Sequence, residues 1–225
     1  MRFRLALHTA GKAARANLLP GLLLQCLMIV FFGLYVAHEG TRQFLAEVAN
    51  LKQESGYLFA FVSYILSAAL LPEILRVFFF QSGHPSRRNI WNFLTAAPAW
   101  GLMGVIVDFF YRCQALWFGT ASDWNTILTK MAVDQFLFSP FIGNTLMVGY
   151  FAWRDLGFRR AAAKTIFKKG FFFERVFPVQ VAGWCIWIPG VCLVYFMPSQ
   201  LQMPVAALIQ CFWVLIFTFV NKPSR

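Results

Sequence analysis

The sequence predicts an all-α fold, a polytopic transmembrane helix bundle of about four to six membrane helices. Three observations predict it: an apolar share too large for a water-soluble shell, six long apolar runs in succession, and basic residues gathered between those runs. Hydrophobic residues make up 59% of the chain and charged residues 13%, whereas a soluble domain carries about a quarter charged. At 225 residues, the length suits a single membrane domain of roughly six spans, each about twenty residues plus its connection.

Residues 1–17 read as a basic amphipathic segment, with Arg2, Arg4, Lys12 and Arg15 and no acid. The apolar run Leu18–Ala37 follows directly. It is too long for the apolar core of a signal peptide and lacks a small-residue cleavage site, so it is expected to stay as a first span. A polar stretch from His38 to Gly56 separates it from the second run, Tyr57 to about Phe80. The basic turn around His84, Arg87 and Arg88 leads to the third, Trp91–Phe118, which is longer than a bilayer needs and contains Pro98. Either this span is strongly tilted, or it starts near Pro98 as a first-turn proline.

A short loop, Gly119–Thr129, precedes the fourth run, Met131–Trp153. The most basic segment follows, with Arg154, Arg159, Arg160, Lys164, Lys168, Lys169 and Arg175 against only Asp155 and Glu174. Phe177–Phe196 and Met203–Val220 complete the set, and Pro189, Pro198 and Pro204 make this last pair the weakest helix signal.

Six spans divide the basic residues unevenly. Fifteen of the twenty Lys and Arg fall on one side of the bundle, Arg42, Lys52 and Lys130 on the other, and Arg76 and Arg112 within spans. Because Lys and Arg collect on the non-translocated side of short loops, both termini and the basic loop are expected on the cytosolic or matrix side. The net charge of +11 is thereby explained by topology, with no continuous basic face for nucleic acid.

Catalytic and metal chemistry lack their signals. His8, His38 and His84 are scattered, no H-E-x-x-H, G-x-S-x-G or P-loop occurs, and the five cysteines have no zinc spacing. Cys26, Cys113, Cys185, Cys192 and Cys211 all lie in or beside apolar runs, where a reduced thiol behaves as a small apolar group. A non-enzyme without cofactor or metal is expected, its partners being the lipid bilayer and other membrane subunits or further copies of itself.

Ionisable groups inside spans are the site candidates, because each costs about 2.5–3.5 kcal/mol at the bilayer centre even on insertion scales. They are Glu73, Arg76, Asp108, Arg112 and Asp134, the last followed by Gln135. Glu73 with Arg76, and Asp108 with Arg112, have the helical spacing of ion pairs. The first pair belongs near the basic side, whereas Asp108, Arg112 and Asp134 belong toward the opposite interface. There they could form one cluster across two helices, serving either as a structural clasp or as a polar mouth. Ser63 with Ser67, and Ser139 with Gly143, have the spacing that lets membrane helices approach closely.

The fourth run opens Lys130-Met131-Ala132-Val133-Asp134-Gln135, with Pro140 six residues after the aspartate. This resembles the K-x-x-x-D-Q-x-x-x-x-P stretch of the Mpv-seventeen family of small mitochondrial and peroxisomal membrane proteins. Phe110-Tyr111-Arg112 is similar to that family's W-Y-[KR], with Gly101 and Gly104 in its glycine-rich approach. Gly183-Trp184-Cys185-Ile186-Trp187 resembles N-W-x-x-W, Tyr195-Phe196-Met197-Pro198 resembles N-F-x-x-V-P, and Trp213 resembles the first residue of W-N-x-Y-L-S. The resemblance spans residues 72–218, and Gly183, Gln202 and Val214 depart from it where the family has Asn, Arg and Asn.

What the resemblance implies is a helix bundle, usually of four spans, engaged in channel-like passage of small solutes. The membrane expected from it is the mitochondrial inner membrane or the peroxisomal membrane; in a bacterium it would be the plasma membrane. An expectation from another class is an accessory structural subunit of a respiratory or ATP-synthase assembly.

Overall fold

The computed structural model describes residues 18–159 and 170–220, together with Gly11, Arg15, Lys164 and Lys168. The expected amphipathic segment 1–17 lies largely outside the described residues, as do Arg160, Lys169, Lys222 and Arg225. Among the described residues, the long elements are seven helices: α1 (Leu18–Ala37), α2 (Glu39–Ser55), α3 (Tyr57–Phe80), α4 (Arg87–Phe118), α5 (Trp124–Asp155), α6 (Phe172–Phe196) and α7 (Ser199–Val220). Helices α1, α3, α4, α5 and α6 are each long and apolar enough to cross a membrane. The chain is an integral membrane protein.

Three boundaries differ from the sequence expectation, and caps explain each. The polar stretch after α1 is a helix, because His38 accepts the Thr41 N–H as its N-cap and Gly56, at φ 54°, ends it. Helix α4 does not begin near Pro98 but runs unbroken for 32 residues from a capping box made by Ser86 and Asn89. The loop before α5 shrinks to Gly119–Asp123, because Asp123 accepts both the Thr126 N–H at 3.1 Å and the Thr126 hydroxyl at 2.7 Å. Those bonds hold the Asp123 carboxyl below the usual carboxylate range.

Prolines shape the spans from within. Three helices contain a π-helical stretch, Ile65–Leu70 in α3, Asp134–Gly143 in α5 and Phe172–Val176 in α6. Pro140 lies inside the second of these, and Pro72 and Pro178 follow the other two by two residues. A proline supplies no N–H and crowds the carbonyl four residues back, so widening to the i→i+5 pattern relieves it.

Helix α7, whose prolines gave the weakest sequence signal, is the core of the bundle. It packs against α1, α2, α3, α4 and α6, and Met203, Val205, Ala206 and Ile209 on it are almost fully buried. Pro198 precedes the helix, and Pro204 lies inside it in the second turn, where the missing N–H forfeits one helical hydrogen bond near the start of the element. Helices α3 and α4 approach so closely that a Cβ at Gly104 would collide with the Ala60 carbonyl oxygen, and one at Gly101 with the Phe61 ring. Gln25 of α1 donates to the Cys185 carbonyl of α6 at 3.2 Å, so a polar side chain in the first span ties it to the bundle.

Candidate functional site: three cavities along one helix

Helix α4 passes three cavities in turn. The first is lined by Arg88, Asn92, Ala96 and Trp100 of α4, the second by Trp100, Met103, Val107 and Tyr111, and the third by Asp108, Tyr111, Arg112, Ala115 and Leu116. Trp100 is shared by the first two and Tyr111 by the last two. The antiparallel α3 keeps the same order, with Arg76, Glu73 and Ala69 at the first cavity and Tyr64 at the second. Helix α5 matches it, placing Arg154 and Phe151 at the first and Met147 to Asp134 at the second. From Arg88 to the far end of α4 is about 45 Å at 1.5 Å per residue, more than the ~30 Å hydrocarbon layer.

The cavity at the basic end holds the expected Glu73–Arg76 pair, at 3.3 Å. Glu73 also accepts Asn89 Nδ2 at 2.8 Å and Asn92 Nδ2 at 3.2 Å, which fastens α3 to α4. At the far end the expected Asp108–Arg112 pair is present at 3.3 Å, with the guanidinium 4.5 Å over the Tyr57 ring. The stronger partner of Asp108 is nevertheless Lys52 of α2, whose Nζ lies 2.9 Å from the same Oδ2. That lysine was expected in a polar connection. Its position seven residues after buried Leu45, on one face of a helix, is the signal that marks it.

Asp134 does not join that cluster. The central cavity, of about 150 Å³, has its own polar network, and Asp134 is its acceptor centre. Tyr195 donates to Oδ2 at 2.8 Å, while Gln135 Nε2 and the Ser139 hydroxyl donate to Oδ1 at 2.9 and 3.1 Å. Ser139 reaches across because residues five apart share a face in the π-helical stretch. The cross-helix clasp of Arg112 with Asp134 is therefore replaced by two sites: Lys52–Asp108–Arg112, and Asp134 with uncharged donors.

Uncharged amides complete the centre. Gln180 of α6 donates to the Gln135 carbonyl at 2.9 Å and accepts from Asn144 Nδ2 at 2.6 Å. Gln114 donates to Tyr195 Oη at 3.2 Å and to the Lys130 carbonyl at 2.9 Å. The Lys130 side chain is buried, its ammonium 5.6 Å over the Tyr195 ring, so that one tyrosine meets a cation at its ring face and the Asp134 carboxylate at its hydroxyl. Gln114, Asn144, Gln180 and Gln210, with the Tyr195 hydroxyl, escaped a search restricted to charged side chains. The signal of the four amides was available as polar side chains inside apolar runs, which seldom occur without a polar neighbour.

Comparison of the chain with family models, curated proteins and solved structures finds no match. Chemically, the arrangement offers a polar interior interrupted by two aromatic walls.

Proposed function

We propose that the protein provides a route for small polar solutes across its membrane, from the arginine-rich cavity through the Asp134 chamber to the Lys52–Asp108–Arg112 mouth. The observation that carries this reading is the succession of cavities along α4, joined at Trp100 and Tyr111. Membrane proteins seldom bury polar side chains in spans without a partner or a path for them, and here those side chains gather around one axis. The resemblance of the Lys130–Pro140 stretch to the Mpv-seventeen family supports the same reading and favours the mitochondrial inner or peroxisomal membrane, or the plasma membrane in a bacterium. The excess of basic residues at one end favours the cytosolic or matrix side for that end.

Trp100 and Tyr111 act as the two constrictions of this route. Purified protein in liposomes is expected to pass small solutes above the level of empty liposomes, and Trp100→Ala to raise the flux several-fold. Flux equal to that of empty liposomes for both proteins, across a range of potentials and solutes, overturns the reading.

A further inference from the structure

The cavity at the basic end, about 400 Å³, brings together three guanidiniums from three helices: Arg76 of α3, Arg88 of α4 and Arg154 of α5. Its floor is kept low by Ala68, Ala69 and Ala96, and Trp100 and Phe151 form an apolar wall, their rings 6.2 Å apart.

Two carboxylates border the same space without cancelling it. Glu73, only 12% exposed, accepts from Asn89, Asn92 and Arg76, so its lone pairs are largely engaged in holding α3 on α4. Asp155 is 64% exposed and accepts twice from its neighbour Arg154. Each guanidinium has five N–H donors. Arg76 uses one on Glu73, Arg154 two on Asp155, and Arg88 makes no ion pair among the described residues. Arg154 is further fixed by the Phe151 ring, 4.6 Å beneath its guanidinium carbon.

What remains is a net positive cavity rich in unused N–H donors, arranged as planar forks around a space large enough for a tetrahedral oxyanion. Arginine forks match phosphate oxygens two at a time, which a lysine ammonium cannot do. Basic pockets between helices at a membrane's cytoplasmic or matrix face are where acidic lipid headgroups dock. A free phosphate compound would present the same group.

We propose that this cavity binds a phosphate monoester group, delivered either by an acidic lipid headgroup or by a soluble phosphate compound. The inference stands on this cavity alone and does not require that anything cross the membrane. Arg88 is the principal recognition residue because its donors are uncommitted, and Arg76 is second, held at the rim by Glu73.

The test uses the full-length protein in an uncharged detergent, titrated with inorganic phosphate, short-chain phosphatidic acid and short-chain phosphatidylcholine while thermal unfolding is followed. Saturable stabilisation by phosphatidic acid, weakened about tenfold or more in Arg88→Gln and in Arg76→Gln but not in Arg159→Gln, is the expected result. Equal action of inorganic phosphate identifies a soluble ligand, and action of phosphatidic acid alone identifies the lipid. Stabilisation by phosphatidylcholine to the same degree, no saturation by either anion, or affinity indifferent to Arg88→Gln overturns the proposal. Arg88 is exposed and has no ion-pair partner among the described residues, so its variant keeps the test valid should Arg76→Gln fail to fold. Binding without flux leaves this site standing and removes the permeation reading; flux without binding does the reverse.

Discussion

Lys52 Nζ lies 2.9 Å from Asp108 Oδ2, and both side chains are more than nine-tenths buried. Arg112 approaches the same oxygen at 3.3 Å with half of its side chain exposed. One carboxylate therefore serves two cations that differ greatly in solvation, and the inner one belongs to a helix too polar to span.

Removing one member of a buried pair strands the other, at about 3–5 kcal/mol, whereas exposed pairs contribute about 0–1 kcal/mol. Lys52→Met should consequently lower thermal stability in a fixed detergent far more than Arg112→Ala. Adding Asp108→Leu to Lys52→Met should recover most of the loss. Arg112→Ala and Asp134→Asn should be additive, since these groups share no contact. Comparable losses from Lys52→Met and Arg112→Ala, or strong coupling between Arg112 and Asp134, would speak against this charge arrangement.

Glycine at the α3–α4 contact gives a second expectation. Gly104→Ala forces a methyl against the Ala60 carbonyl and Tyr64 Cβ, where overpacking costs about 1–3 kcal/mol. Gly33→Ala in α1 has open space around it and should be neutral or slightly stabilising, alanine being the better helix former. Unfolding midpoints of the two variants provide the comparison. A Gly104→Ala protein as stable as the parent means the helices are not in close contact.

The spans and their order were legible because a run of about twenty apolar residues has few other uses. Their ends were less so. His38, Ser86 and Asp123 are N-caps, but each sits in a polar stretch where many residues could cap. The ion pairs at Glu73–Arg76 and Asp108–Arg112 followed from helical spacing alone. The Lys52–Asp108 bond did not, because 56 residues separate them and only packing of α2 on the bundle joins them. Asp134 stands out in the sequence as an acid inside an apolar run, yet its partners depend on a π-helical widening at Pro140 that no periodicity of 3.6 anticipates.

Topology follows from the same bundle. Ser122 lies in the turn before α5 and Arg159 just beyond that helix, about 48 Å of helix apart. With the native thiols replaced, Ser122→Cys and Arg159→Cys should react with an impermeant maleimide from opposite faces of sealed vesicles, Arg159→Cys from the cytosolic or matrix side. Labelling of both from one face would contradict the crossing of α5.

The most direct test is whether water and small ions reach the middle of the bundle. In a cysteine-free background, Asn144→Cys places a thiol in the central cavity, and Leu146→Cys places one on the outer surface of the same helix, where leucine is 49% exposed. The rate of modification by a small charged thiosulfonate, added to protein in liposomes, is the quantity to measure. A continuous polar route predicts fast reaction at Asn144→Cys, accelerated further by Trp100→Ala or Tyr111→Ala, and little reaction at Leu146→Cys. Equal, slow modification at both positions, unchanged by either truncation, would contradict it.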